Sequence, residues 1–343
     1  MLATWIAAIC AGLITWISTP WVRSLALRFH WLDRPGPRSS HQRIITRAGG
    51  LAVLLGLVCG LMLMADFTRW HLAFLVSALF ISLLGWLDDV HHLNVRWRLI
   101  AQLGLAAAMV WWLGPIERIA WLGQSLNAPW LWTILAIPAL VWMINLFNFM
   151  DGADGLASMQ SGFSALCFAG LFHSAGQPWL AGIAACLAAT CLGFLAWNTP
   201  PARIFLGDVG SLLLGWCLGL LALAGTLTGA VSVWLSFIVV SVFVVDATAT
   251  LLKRVVRGDQ WYTAHRDHAY QRLIRNHWSH RSVLLIFTAL NLMLVLPVTV
   301  LAMTVPGLDF IGALSLGVVL LGLWAWVQRQ AVEENRNNEA EPH

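Results

Sequence analysis

Two adjacent aspartates, Asp88 and Asp89, close an apolar run and are followed by Asn94, Arg96 and Arg98. Adjacent carboxylates repel, so they gain from a cation, a shared proton or nearby arginines. A solvated helix end accounts for one aspartate there better than for two. Farther along, Asn145, Asn148, Asp151 and Asp154 recur at every third position, with Gly152 and Gly155 among them. On a helix this spacing keeps the four near one face. Four oxygen-bearing side chains beside glycines suit a hard cation such as Mg²⁺, or a polar ligand. An Asn/Asp/Gly turn describes the backbone but does not require four such residues.

Three further clusters hold the remaining chemistry. Asn198 to Ser211 includes Arg203, Phe205, Gly207, Asp208 and Gly210. Its glycines allow close backbone approach, Ser211 can cap a following helix, and helix N-termini attract anions. Asp208 adds an oxygen ligand for Mg²⁺, so an N-cap turn and a phosphate-plus-metal site are compatible readings. Asp259 to Arg272 includes His265, Arg266, Asp267, His268 and Tyr270, donors suited to phosphate and sugar hydroxyls. No cysteine lies near these histidines, which disfavours zinc. Residues 35–50, with Arg38, His41, Arg43, Arg47, Gly49 and Gly50, form a basic, turn-rich loop for anionic lipid contact or an anion-binding flap.

The elements that must position these clusters are membrane spans. Of 343 residues 59% are hydrophobic and 10% charged, against about 25% charged in soluble domains, and the mean hydropathy is +0.75. Apolar runs predict eleven helices, at 2–22, 48–65, 70–87, 98–114, 129–147, 157–173, 179–197, 211–228, 231–252, 282–303 and 309–328. The expected fold is an all-α integral membrane bundle of 10 or 11 spanning helices with its active site on cytoplasmic loops. The pair around Gly229 reads equally as one broken helix. Residues 1–328 read as a single polytopic domain and 329–343 as a polar, disordered tail. No basic residue precedes the first apolar run, so it reads as a retained helix entering from outside, not a cleaved signal.

With the N-terminus outside, every Lys and Arg except Arg69 and Arg118 falls on one side, which the positive-inside rule makes cytoplasmic. The five clusters share that side. Ionisable groups beside the bilayer are costly to bury, which makes function the default reading. The six cysteines sit inside apolar runs with no CxxC pair and read as small buried hydrophobes. A secondary transporter of an organic anion is the rival reading. Transporters place ionisable groups near the midplane, often in repeated halves, and neither feature is present here. Nothing points to nucleic acid.

Taken in order, these motifs resemble the polyprenyl-phosphate N-acetylhexosamine-1-phosphate transferase family, over about Asp33 to Arg272. The resemblance implies transfer of a sugar 1-phosphate from a UDP-sugar to undecaprenyl phosphate, with release of UMP. It implies Mg²⁺, with Mn²⁺ as a substitute, a bacterial inner membrane setting, contact with membrane lipids and room for a homodimer. Asp88 and Asp89 match paired aspartates near the reacting phosphates and, with Asp208, are the expected catalytic residues. Asn148 and Asp208 match metal-holding positions, Phe205 an aromatic that stacks on uracil, and Asp154 a nucleotide-contacting position. His265 to Gln271 match a segment touching sugar and pyrophosphate, which includes Arg266 and His268. Asn145, Asp151 and Arg98 complete the expected substrate-binding set. Many members carry His-x-His-His where this chain has His268-Ala-Tyr270-Gln271. That departure is similar to the branch priming lipopolysaccharide O-antigen with a 6-deoxy sugar such as N-acetylfucosamine or N-acetylquinovosamine; N-acetylglucosamine is the other expectation.

Overall fold

A computed structural model describes the chain apart from residues 1, 34–43, 65–66, 123, 260–264, 306 and 341–343, and apart from the side chains of residues 2, 120 and 331–340. Arg34, Arg38, His41 and Arg43 of the basic loop, and residues 260–264 of the fourth cluster, therefore lie outside the described residues. The helices run α1 Leu2–Arg28, α2 Gly49–Met62, α3 Arg69–His91, α4 Val95–Leu113, α5 Pro129–Met150, α6 Leu156–Ser174 and α7 Pro178–Asn198. They continue as α8 Gly207–Thr228, α9 Val233–Val256, α10 Ala269–Arg275, α11 His280–Leu290, α12 Leu296–Thr304 and α13 Leu308–Ala340.

Every expected span is helical, and the protein is an all-α, multi-pass membrane protein. Among the described residues eight helices are long and apolar enough to cross a membrane, fewer than the 10 or 11 anticipated. The other three form where expected. The shortest, α2, has 14 residues. A second, α4, opens on Arg96, Arg98 and Gln102. The third, α6, buries Ser158, Gln160, Ser161 and Ser164; a helix that faces protein needs less apolar surface than one that faces lipid.

Local signals set the ends. Thr68 and His71 form a capping box on α3, Asn94 accepts from Arg96 N at 3.0 Å to start α4, and prolines open α5 and α7, where a missing N–H costs nothing. Gly229, at φ 67°, ends α8 in the left-handed region and Ser232 caps α9, so that pair is two helices. His280–Thr304 is a single span interrupted by a π-turn at Asn291–Val295. There Asn291 Nδ2 donates to Gln160 Oε1 at 2.7 Å, tying the turn to α6. The polar stretch expected to be disordered continues α13 as helix to Ala340.

Two short hairpins were not anticipated. Leu32–Asp33 (β1) pairs antiparallel with Ile45–Thr46 (β2), and Arg118–Trp121 (β3) with Gln124–Asn127 (β4). Trp121 of the second packs on Trp234 and Phe310, where α9 and α13 begin. At the opposite end of the bundle α1, α3, α5, α7 and α9 finish, and α2, α4, α6, α8 and α11 start. The described residues of all five polar clusters belong to that end. The most deeply buried helix is α8, which packs against α3, α5 and α2. Its approach to α3 requires Gly85, where an added Cβ would stand 2.5 Å from Asp208 O.

Candidate active site

Successive residues on an α-helix point about 100° apart, and this splits the paired aspartates. Asp88 turns back on its own helix end. Its Oδ1 accepts from Leu93 N at 2.9 Å, and its Oδ2 from Arg98 Nη1. Asp89 turns toward α8, where its Oδ2 accepts from Val209 N at 3.3 Å and its Oδ1 lies 2.9 Å from Arg47 Nε. The guanidinium of Arg47 also donates through Nη2 to Asp208 Oδ1 at 2.8 Å. Asn148 Nδ2 reaches the same oxygen at 2.9 Å and Ser211 Oγ at 3.0 Å. With the amide nitrogen so engaged, no described donor meets Asn148 Oδ1.

Asp151 follows at the end of α5. Burial, together with the charges of Asp208, Asp89 and Asp154, pushes its carboxyl well above the ordinary range, with Arg47 opposing. Burial alone would lower Arg47, but Asp208, Asp89 and Asp33 outweigh it and hold the guanidinium above its ordinary value. Asp88, Asp89, Asp151 and Asp208 thus form one electrostatic cluster around two arginines. Among the described residues no three His, Cys, Asp or Glu converge as a ready-made metal cage. The donor set of carboxylates plus the Asn148 amide oxygen still fits Mg²⁺. That ion keeps several waters and is commonly held by one or two carboxylates and substrate phosphates.

The α5–α6 turn carrying Asp151 is pinned from three sides. Tyr270 Oη donates to Phe149 O at 2.9 Å and fills the space where a side chain at residue 152 would go, which leaves glycine. Asp154 Oδ2 accepts from Ala202 N at 2.9 Å, and its Oδ1 lies 3.2 Å from His280 Nδ1. Asn198 Oδ1 accepts from Gly155 N at 3.1 Å while its Nδ2 donates to Ile204 O at 3.0 Å. Phe205 is fixed by its backbone: its N–H donates to Thr46 O, and its carbonyl accepts from Gly49 N, both at 2.9 Å.

The facing wall is α10 and the segment before it. Asp246, buried in α9, accepts from Ala269 N at 2.8 Å and Tyr270 N at 3.4 Å, so it caps α10 from another helix. Asp267 pairs with Arg254 at 2.7 Å and Arg272 at 3.0 Å. Burial opposes its charge, yet these arginines hold it below its usual value. Burial and the neighbouring His268 and Arg254 lower His265 to about 4, so its imidazole is neutral at pH 7. His265 and His268 have ring centroids 4.9 Å apart.

These walls enclose an open cavity of about 1040 Å³. All eight expected substrate-binding residues line it: Asn145, Asp151, Asp154, Phe205, Arg98, His265, Arg266 and His268. So do Asn148, Asp208 and Arg47, whereas Asp88 and Asp89 stand behind the lining. Part of its lining is apolar, with Leu99 and Leu103 from α4, Pro138, Val141 and Trp142 from α5 and Leu251 from α9. Asn145 lies among these residues on α5, its Nδ2 donating to Gln102 Oε1 at 2.7 Å. His280 was not foreseen; its one signal is a histidine just after a helix cap. Arg47 was seen only as part of a basic loop.

Residues 71–226 match glycosyl transferase family 4. A Bacillus subtilis protein named "probable undecaprenyl-phosphate N-acetylglucosaminyl 1-phosphate transferase" is 31% identical over 288 residues, covering 82% of this chain and 80% of that protein. The chain belongs to glycosyl transferase family 4. A decaprenyl-phosphate N-acetylglucosaminephosphotransferase of Mycolicibacterium smegmatis is 32% identical, covering 82% of this chain and 78% of the relative. A phospho-N-acetylmuramoyl-pentapeptide-transferase of Picosynechococcus sp. is 30% identical over 86% of each chain. The span matching family 4 contains Asp88, Asp89, Asn148, Asp151 and Asp208, while the His265–His268 wall and His280 lie beyond it.

Proposed function

We propose that the protein transfers an N-acetylhexosamine 1-phosphate from a UDP-sugar to undecaprenyl phosphate at the cytoplasmic face of a bacterial inner membrane. The observation that carries this is the cavity itself. Its lining combines Asp151, Asp208, Asn148, Arg47 and His265 with apolar side chains of α4, α5 and α9, suiting a water-soluble nucleotide sugar and a lipid-borne phosphate at once. The relatives' names supply the reaction class.

In this reading a phosphate oxygen of the lipid attacks the β-phosphorus of the UDP-sugar. The bond from that phosphorus to the bridging oxygen breaks, and UMP leaves with the electron pair. Catalysis is then positioning and charge stabilisation. Asp208, Asn148 and Asp151 are the residues to hold Mg²⁺, which when bound neutralises pyrophosphate charge. Phe205 offers its ring to the uracil, and Arg266, His265 and His268 offer donors to the phosphates and sugar. Asp89 through Arg47, and Asp88 through Arg98, position the arginines that line the cavity for the lipid phosphate, whose second pKa of about 6 asks little of a base. The sugar is a 6-deoxy-N-acetylhexosamine or N-acetylglucosamine, and the product primes O-antigen or another envelope glycan. The test supplies purified protein with undecaprenyl phosphate, Mg²⁺ and a panel of UDP-sugars. UMP release with one of them supports the proposal, and release with none refutes it.

A further inference from the structure

Asp208 Oδ1 already accepts two hydrogen bonds, from Arg47 Nη2 and Asn148 Nδ2. A carboxylate oxygen has two lone-pair positions, so a cation taking this oxygen must displace one donor. Asn148 is braced by a second bond to Ser211. Arg47 is the freer group. Its side chain is 32% exposed and lines the cavity, while its backbone N–H is fixed to Trp31 O at 3.0 Å. The side chain can therefore swing without moving the loop. Among the described residues Arg47 is also the one cation in ion-pair contact with Asp89 and Asp208.

We propose that Arg47 is the internal counter-ion of the cation site. It holds Asp89 and Asp208 in place while no divalent cation is bound, and is displaced from Asp208 Oδ1 when one enters. Displacement turns a positive charge toward the cavity, where the donor's phosphates arrive, so cation binding and phosphate capture are coupled through one side chain. The inference rests on the cation-assisted transfer reading above, and it makes a counterintuitive demand: removing a positive residue that activity needs must tighten the cation site.

The experiment titrates purified full-length protein with Mn²⁺, following the free-ion signal by electron paramagnetic resonance. Arg47→Gln is expected to bind Mn²⁺ about tenfold more tightly than the unaltered protein, and Asp208→Asn added to it is expected to abolish the gain. Unchanged or weaker binding in Arg47→Gln, or a gain that survives loss of Asp208, would overturn the proposal. Arg47→Lys keeps the charge without the two-pronged fork and serves if Arg47→Gln does not fold. It too must bind Mn²⁺ more tightly than the unaltered protein, and equal affinity counts against the idea. The readout needs no turnover, so it stands or falls separately from the UMP assay.

Discussion

Replacing Gly152 with alanine tests whether Tyr270 positions the Asp151 turn. An added Cβ would stand 2.2 Å from Tyr270 Oη, 3.1 Å from Cζ and 3.3 Å from Cε2, so the phenol must withdraw from a site where it is fully buried. Overpacking of this kind costs about 1–3 kcal/mol. Losing the 2.9 Å bond from Tyr270 Oη to Phe149 O adds about 1 kcal/mol. Tyr270→Phe alone forfeits only that bond, about 1 kcal/mol. It also removes the atom at 2.2 Å, leaving ring contacts that a few tenths of an ångström relieve. The double variant should therefore cost little more than Tyr270→Phe, so the single costs fail to add by about 2–4 kcal/mol. Thermal unfolding in detergent measures the stabilities. UMP release measures the site, and Gly152→Ala should lower it about a hundredfold if Asp151 shifts by an ångström. Additive costs in the double variant, or a silent Gly152→Ala, would refute the claim that these residues compete for one space.

Other perturbations separate chemistry from scaffold. Asp208→Asn should lower UMP release at least about a hundredfold while leaving the unfolding temperature within a few degrees; retention of full Mg²⁺-dependent activity would remove Asp208 from the site. Asp246→Ala strips the buried cap from α10 and should cost about 1–2 kcal/mol, with protease cutting near residue 268 as the readout. Lowering of His265 to about 4 from an ordinary 6.5 means that the fold favours the neutral ring. Its stability contribution is complete above pH 6.5 and is lost as pH falls from 6.5 toward 4. His265→Gln should flatten stability over that interval, and an unchanged slope would contradict the assignment. Gln328→Leu breaks the bonds from Lys253 Nζ and to Asp267 O, both 2.8 Å. It should cost about 1–2 kcal/mol and raise KM for the nucleotide sugar; a purely structural residue would leave KM alone.

The spans and the five polar clusters were legible because charge is conspicuous in an apolar chain and a spanning backbone has so few options. What distinguishes Asp88 from Asp89 was not legible. It depends on the rotation of α3, which packing against α8 through Gly85 decides, and the two residues are equivalent as letters. His280 escaped notice because its partner Asp154 is 126 residues away and a lone histidine after a serine cap looks ordinary. Gln328 passed as the polar last residue of an apolar span beside a polar tail. Its burial comes from Lys253 and the Asp267 carbonyl, contacts made only once α13 lies beside α9 and α10. The hairpin of β1 and β2 pairs two residues per strand, too few for alternation to register.

The split of the aspartate pair also explains how so much negative charge is tolerated beside a bilayer. An isolated buried carboxylate is strongly disfavoured, yet three of these four are compensated. Asp88 has Arg98 and a backbone amide. Asp89 has Arg47 and the amide of Val209 in the first turn of α8, where the helix dipole favours an anion. Asp208 has Arg47 and Asn148. Asp151 has none of these among the described contacts, and burial first of all drives its carboxyl well above the ordinary range. The carboxyl that lacks such partners among the described contacts therefore lines the cavity, held toward its neutral form, and a divalent cation entering there would supply the charge that favours its ionisation.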